Sequence, residues 1–301
     1  NPSTRALMQR FKMNDLGHIK YCLGIEFQQD PVTKSVFMSQ KKYINDIVRR
    51  FGLEEVYTAI TPLEPKIKLT VDDESDRVDQ VEYQSLVGSL MYAAVSTRPD
   101  IMYSMSVLSS FNQCPRVSHL NSAKRVLRYL KGTNDYGLSF EENAKSLQGF
   151  IDSDWGSDVD SRRSRTGYVC ILAGAAVAWE SKRQKTVALS STEAEYMAMT
   201  EAVKEIVYLR QFLGELNVFE CAEPTKLMCN NQGAGKLVKN PVFHSKSKHI
   251  QMKHHFVRKV YQRNEIEIEY VPTNHMTADI LTKSLCSPAD KVHCFGLGLR
   301  K

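Results

Sequence analysis

The first half of the chain combines short β-type runs with stretches of helical period. Residues 19–27 and 35–38 are rich in β-branched and aromatic residues and flank a polar turn, which predicts a hairpin. Apolar residues then recur every three or four positions in three stretches, residues 43–51, 83–111 and 119–130. This spacing predicts helices that each bury one face. Residues 61–79 contain two prolines and an acidic run and are predicted to form a loop.

The second half begins with three β-type runs and continues with alternating helices and strands. The runs are residues 147–155, 166–173 and 176–182. Turn signals between them predict an antiparallel meander. After a long helix with one apolar stripe we predict a strand, a helix, a strand and a last short helix, and these five elements occupy residues 192–216, 226–229, 247–263, 265–271 and 276–285. The order is that of a mixed α/β domain, and the two halves join near residues 135–146.

Composition limits the class of protein. The chain has 301 residues, more than the ~100–200 of an ordinary domain, so two domains are expected. It has neither a run of ~18 apolar residues nor the features of a signal peptide, so we expect no membrane contact and an intracellular location, cytoplasmic or nuclear. The seven cysteines are scattered without a Cys-x-x-Cys pair, which argues against a disulfide framework and a zinc ribbon.

Several carboxylates occupy positions from which they could form one site. Asp152 lies in the first predicted strand of the second half, and Asp154 faces the same side of that strand. Glu195 lies in the first turn of the long helix, and Asp279 lies in the last short helix. If the fold brings them together, they form a site for a hard divalent cation with oxygen ligands. The alternative is that Glu195 only complements the helix dipole and that the aspartates are ordinary surface acids.

Sequence motifs along the chain resemble one family. In the second half the motifs are residues 149–155, 164–168, 179–184, 189–196, 248–250 and 278–283, including GFIDSDW and ADILTK. Block after block, they are similar to the RNase H domain of copia-type retrotransposons. In the first half, residues 11–17, 21–25, 83–90, 97–100 and 129–133 resemble the segment that follows the polymerase palm in the Pol polyprotein of the same elements.

This resemblance implies an α/β fold in which an RNase H-like five-stranded mixed sheet with helices follows a thumb- or connection-like region of a reverse transcriptase. The expected domains are residues 1–140 and 141–301. In the family, four acidic residues hold two Mg²⁺ ions, for which Mn²⁺ can substitute, and the ions cut the RNA strand of an RNA–DNA hybrid. Carried over by position, Asp152, Glu195 and Asp279 would be metal ligands. No other cofactor is expected.

The fourth acidic position is occupied by an amide. Where the family has Asp-Asn-Gln after the fourth strand, this chain has Asn230-Asn231-Gln232. An amide oxygen can coordinate Mg²⁺ but lacks the negative charge that offsets a second cation, so weak or absent cleavage is expected. Two interpretations remain open: a ribonuclease H fragment with impaired cleavage, and an inactive nucleic-acid-binding remnant of a polyprotein. Compensation by Asn231 or Asp154 is a further alternative.

Polymerase activity is not expected from this chain. Polymerase chemistry needs adjacent aspartates between two apolar strands, and the pair Asp72-Asp73 instead lies in the polar loop after Pro62 and Pro65. The palm aspartates of the family are therefore absent from the sequence.

A basic segment follows the fourth strand. Residues 224–264 contain no Asp or Glu, and six cations are candidates for phosphate contacts: Lys236, Lys239, Lys246, Lys248, Lys253 and Arg258. Such a segment favours salt-dependent binding of an RNA–DNA hybrid or duplex. The alternative is a solvated basic helix face. The histidines of this segment lack the spacing of a zinc site, so zinc is not expected.

Overall fold

The computed structural model describes residues 8, 10–14, 17–142, 146–216, 223–239 and 248–301, the side chains of residues 248–254 excepted. In the first half the helices are α1 (Lys41–Arg50), α2 (Gln80–Ser96), α3 (Met102–Leu108) and α4 (Val117–Gly132). The strands are β1 (Tyr21–Cys22), β2 (Ile25–Gln29), β3 (Val36–Ser39) and β4 (Gly137–Phe140). The hairpin and the first and third helices are confirmed. Residues 83–111, predicted as one helix, instead form α2 and α3 with 3-10 turns, because Pro99 cannot continue the hydrogen-bond ladder of α2.

The second half contains the predicted meander and long helix. Its strands are β5 (Gln148–Asp154), β6 (Arg165–Leu172), β7 (Ala175–Arg183), β8 (Thr225–Cys229) and β9 (Ile266–Tyr270). Its helices are α5 (Ser191–Glu215), α6 (Gln232–Lys239), α7 (Lys248–Gln262) and α8 (Ser287–Gly296). Helix α6 was not predicted, since its eight residues include two glycines. A helix does occupy the predicted range 276–285, but it is a 3-10 helix of residues Thr277–Leu281, and it is not the last one because α8 follows it.

The second sheet has the strand order β7-β6-β5-β8-β9. β5, β6 and β7 are antiparallel neighbours, whereas β8 and β9 are parallel to β5. Helix α5 covers one face through a core that includes Ile151, Val203, Ile206 and Leu227. The fold class implied by the resemblance, a five-stranded mixed sheet with helices preceded by a largely helical region, is therefore confirmed.

The last residues of the chain return to the first half. Strand β10 (Leu299–Arg300) pairs with β4, so the first sheet has the order β1-β2-β3-β4-β10. Gly298 has a φ of +81° and lies against Ala175, where a Cβ would come within 2.4 Å of the Ala175 Cα. A third core joins the two halves; it includes Leu138, Val169, Leu281 and Leu297. The predicted domain boundary falls between β4 and β5, where the chain passes from one sheet to the other. That division into domains stays a prediction.

Three further sequence inferences bear on the rest of the chain. Asp73 lies in a loop as expected and accepts hydrogen bonds from Ser118 Oγ at 2.5 Å and Ser75 N at 2.7 Å, so it has a structural role beside α4. Six of the cysteines are described, and all six are free thiols. Within the described residues, no helix combines the length and the apolar character needed to cross a bilayer.

A buried ion pair fixes the packing where α2, α4 and α8 meet. The Arg98 guanidinium donates to Asp100 Oδ1 at 2.9 Å and Oδ2 at 2.6 Å, and both side chains are fully buried. Tyr129 Oη also donates to Asp100 at 2.8 Å, and Arg98 Nη1 donates to the Thr133 carbonyl at 2.9 Å. Burial alone would lower the pKa of Arg98, but Asp100 outweighs it and raises that pKa. The charges of Arg98 and Asp100 are thus paired with each other, which is the condition for burying them.

We expect Arg98→Met to lower the free energy of unfolding by about 3–5 kcal/mol, because the carboxylate of Asp100 is left buried without its cation. Urea denaturation at neutral pH measures this. Arg49→Met is the matched control: its partner Asp46 is 3.4 Å away and exposed, so the loss should stay below ~1 kcal/mol. Equal losses in the two variants would contradict the stabilising role of the buried pair.

Candidate active site

Parallel strand pairing brings Asp152 and Asn230 together. β5 and β8 run in the same direction with Ile151 opposite Cys229, so the next residue of each strand emerges at the same edge of the sheet. There Asn230 Nδ2 lies 3.3 Å from Asp152 Oδ1 and donates a hydrogen bond to it. Asp152 is only 1% exposed. An aspartate at position 230 could not make this donation without a proton of its own.

Glu195 enters the same corner from helix α5. Ser190 caps the helix by accepting from the Glu193 amide at 3.2 Å, and Glu193 Oε2 accepts from the Leu189 amide at 2.9 Å. Glu193 thus satisfies the start of the helix, and Glu195 is not needed as a capping carboxylate. Glu195 instead turns to the sheet and accepts from the Ser153 amide at 3.2 Å.

Asp279 arrives on the 3-10 helix that packs against β6. Gly167 permits this approach, because a Cβ there would lie 2.6 Å from Thr282 Cγ2 and 2.9 Å from Leu281 Cβ. Asp279 is 6% exposed, and the hydroxyl of Thr282 donates to Asp152 Oδ2. The structure thus places all four predicted residues in one buried corner. We call Asp152, Glu195 and Asp279 the carboxylate cluster.

An ammonium group that the sequence reasoning missed lies between two of these acids. Lys283 Nζ is 3.2 Å from Asp152 Oδ2 and 3.2 Å from Asp279 Oδ1. Lys283 is four residues after Asp279 at the end of the ADILTK motif, and this spacing was the signal that it would face the same site. Its positive charge offsets part of the negative charge that the cluster concentrates.

Burial shifts the protonation of the cluster. Desolvation and the neighbouring Asp152 carboxylate raise the pKa of Glu195 to about 8. The same two causes raise the pKa of Asp279, while Lys283 opposes the shift. Burial also raises the pKa of Asp154, which faces Lys283 and Asp152. For Lys283, burial alone would lower the pKa, but the carboxylates of Asp152 and Asp279 outweigh it and raise that pKa.

The donor set fits a hard cation. Glu195 Oε2 is buried and has no hydrogen-bond partner among the described residues, which is unusual for a carboxyl oxygen, and a ligand role would account for it. Carboxylate oxygens are the donors that Mg²⁺ prefers. In the part of the chain that the structure describes, no three acidic, imidazole or thiol groups are already spaced as a finished metal site. The site would therefore have to rearrange slightly around an ion.

The basic segment is only partly described. Lys236 and Lys239 are exposed on α6, and Lys239 Nζ reaches the Ile268 carbonyl at 3.4 Å. The guanidinium of Arg258 donates to the Leu237 and Val238 carbonyls at 3.1 and 3.4 Å. Arg258 thereby satisfies carbonyls at the end of α6, a structural role that the charge pattern did not reveal. Lys246 and the side chains of Lys248 and Lys253 lie outside the described residues.

The sequence is similar to known proteins over most of its length. The family model described as reverse transcriptase (RNA-dependent DNA polymerase) matches residues 3–65. The retrovirus-related Pol polyprotein from transposon TNT 1-94 of Nicotiana tabacum is 38% identical over 283 residues, 92% of this chain and 21% of that polyprotein. The one from transposon RE1 of Arabidopsis thaliana is 38% identical over 284 residues, 94% of this chain and 19% of that polyprotein. The chain thus spans about a fifth of the length of these relatives.

Among the solved structures with a similar fold, some match most of the chain. The foamy viral protease-reverse transcriptase in complex with dsDNA has a TM-score of 0.48 and 13% identity, and the match covers 84% of this chain and 44% of that one. The assignment of the fold comes from the strand order of the second sheet.

We expect the unmodified chain to lose stability as pH rises from about 5 to about 8, and Glu195→Gln to remove this loss. An acid whose pKa is raised on folding stabilises the fold fully below its unfolded pKa of 4.5, and this contribution is lost as pH rises through about 8. Relative to the unmodified chain, the variant should gain on the order of 2 kcal/mol between about pH 5 and about pH 8. Urea unfolding in buffer with a chelator measures this gain. Glu215→Gln, at the exposed end of the same helix, is the control and should leave the pH dependence unchanged. If the free energy of unfolding depends on pH in the same way in Glu195→Gln and in the unmodified chain, Glu195 does not cause the loss.

Proposed function

The chain belongs to the Pol polyprotein family of copia-type retrotransposons, and on this premise we propose that its carboxylate cluster is a ribonuclease H-type site whose cleavage of RNA in RNA–DNA hybrids is impaired by Asn230. The contact between the Asn230 amide and Asp152 is the main support for the proposal, because Asn230 occupies the position at which the family has a fourth carboxylate. Sequence similarity is the basis for placing the chain in this family. The cleavage activity, the hybrid substrate and the bound metal are what we propose for it.

Asp152, Glu195 and Asp279 would hold Mg²⁺, or Mn²⁺ in its place. A bound divalent cation would supply Lewis-acid activation of water and of the leaving oxygen. The chain's own groups orient the ligands: Thr282 and Lys283 hold one oxygen of Asp152, and Asn230 holds the other. These contacts fix the orientation of the Asp152 carboxylate before an ion arrives, but an ion must displace one of them to bind the oxygen that it engages.

Asn230 weakens the site through charge and through orientation. It contributes no negative charge, while Lys283 already contributes a positive one, so the cluster attracts cations less than four carboxylates would. Its amide also donates to Asp152 Oδ1, and an oxygen engaged with a donor is a poorer ligand. The affinity for a second ion should fall most, since two close divalent cations repel each other unless carboxylates offset their charge.

The substrate class follows from the same family and from the charge distribution. The 224–264 segment contains no acidic residue, and Lys236, Lys239 and Lys259 are exposed within it. Exposed cations beside an acidic cleavage site suit the phosphate backbone of a hybrid duplex. Binding of such a duplex without cleavage is the alternative function that Asn230 itself favours.

We expect Asn230→Asp to raise Mg²⁺-dependent cleavage of hybrid RNA at least about tenfold, a barrier change of about 1.4 kcal/mol. The unmodified chain should cleave poorly or not at all, and Mn²⁺ should recover part of the loss. The substitution should also create a Mg²⁺-dependent rise in melting temperature, because a ligand that binds only the folded state stabilises it. Gel analysis of a labelled hybrid and thermal unfolding with and without Mg²⁺ measure both effects.

Asn231→Asp is the matched control. It adds the same charge one residue away, where the Asn231 side chain accepts from the Ala234 amide at 3.0 Å rather than facing Asp152, so cleavage should not increase. If the unmodified chain cleaves robustly with Mg²⁺ and Asp152→Asn abolishes this, Asn230 does not impair the site. If neither the unmodified chain nor Asn230→Asp cleaves while both bind hybrid, the chain is a binding protein only.

A further inference from the structure

A groove at the exposed edge of the second sheet lies outside the carboxylate cluster. β7 is the edge strand of that sheet, and the groove runs between the end of β7 and the first half of the chain. One wall carries three serines of α3 and the turn after it, Ser106, Ser109 and Ser110. The other wall carries residues 181–185 and Arg163, and the volume enclosed is about 430 Å³. We call it the edge groove.

The edge groove is strongly basic. Arg163, Lys182, Arg183 and Lys185 line it, and none of the described residues in its lining is acidic. Lys182 pairs with Glu180 at 3.2 Å and Arg183 pairs with Asp158 at 3.1 Å. Arg163 and Lys185 have no ion-pair partner within the described ranges, and two positive charges therefore remain to attract an anion.

Hydroxyl groups in the same groove are positioned to donate. Ser181 Oγ is buried, with the residue 4% exposed, and it has no hydrogen-bond partner among the described residues. Buried hydroxyls are normally satisfied, and this one belongs to a residue that lines the groove, so it is free to donate to a group bound there. On the opposite wall, Ser106 Oγ accepts from the guanidinium of Arg165, and its own proton can therefore be donated into the groove. Donors together with cations select an anion with several oxygen acceptors.

The register of the sheet places the groove close to the cluster. Asp152 lies opposite Gly167, and Gly167 lies opposite Ser181, so the three residues form one row across β5, β6 and β7. Residues in such a row project to the same face, and two strand spacings separate Asp152 from Ser181 by roughly 10 Å. That is about three base-pair rises of 3.4 Å. Gln184 also ties the groove to the start of α5, since its Nε2 donates to the Ala194 carbonyl at 2.9 Å.

We propose that the edge groove binds a backbone phosphate of the duplex whose scissile strand lies at the carboxylate cluster. The inference rests on the proposed function, because it takes a nucleic-acid duplex as the partner. The phosphate would be held by Arg163 and Lys185 with hydroxyl donation from Ser181 and Ser106. The binding is independent of base sequence, and it couples the first half of the chain to the same duplex that the second half holds.

The test compares the salt dependence of duplex binding by full-length variants. A fluorescently labelled RNA–DNA hybrid is titrated at several salt concentrations, and the slope of log affinity against log salt is measured. Arg163→Gln combined with Lys185→Gln should reduce that slope by about two, one for each lost phosphate contact. Lys41→Gln combined with Lys291→Gln removes the same charge from helices that do not line the groove and should change the slope less.

A second variant separates a built phosphate site from a diffuse basic edge. Ser181→Ala keeps the charge unchanged and should weaken binding about tenfold, since a hydrogen bond to a charged oxygen is lost. Ser122→Ala controls for the loss of a buried hydroxyl, since Ser122 donates to the Ser118 carbonyl within α4. This variant should bind the hybrid as tightly as the unmodified chain does. Circular dichroism checks that each variant is folded.

The outcomes distinguish this inference from the proposed function. If the unmodified chain binds hybrid and the double variant keeps its slope, or Ser181→Ala binds normally, the edge groove is not a phosphate site while the proposed function stands. If the unmodified chain binds no hybrid at all, both are overturned. Reduced slope together with weakened binding by Ser181→Ala supports the groove whether or not any variant cleaves RNA.

Discussion

The charge balance around Asp152 is the constraint on which the candidate site depends. A carboxylate that is 1% exposed is unfavourable unless donors or cations surround it. Here an amide, a hydroxyl and an ammonium take that role, supplied by Asn230, Thr282 and Lys283. The same arrangement compensates the buried charge of Asp152, and it would lower the attraction of the cluster for a cation.

The position of the cluster depends in turn on how tightly the 277–282 segment packs on β6. Gly167 allows that segment to approach the sheet, and without this approach neither Asp279 nor Lys283 would reach Asp152. The segment is also part of the core that joins the two halves, through Leu281 and its neighbours. The geometry of the site is therefore linked to the contact between the halves, so a change at that contact should shift Asp279 and Lys283 relative to Asp152.

Two kinds of contact hold the halves together. Apolar packing between β4, the second sheet and α8 is supplemented by polar links such as the Trp179 indole, which donates to the Ala94 carbonyl at 2.9 Å. The return of β10 to the first sheet adds backbone pairing from the far end of the chain.

The sequence by itself determined the elements with strong periodicity and the chemistry of the residues in its motifs. The meander and the long helix could be predicted because side-chain period is a local property, and the resemblance of the motifs to the copia family singled out Asp152, Glu195, Asn230 and Asp279. Only the tertiary structure decided what surrounds them. Parallel register set Asn230 beside Asp152, and the helix-end role of Arg258 emerged from packing. The edge groove, the return of β10 and the contact of Lys283 with Asp152 depend on residues far apart in sequence, and the whole fold sets those contacts rather than any local pattern. The break at Pro99 and the spacing of Lys283 from Asp279 are local features of the sequence.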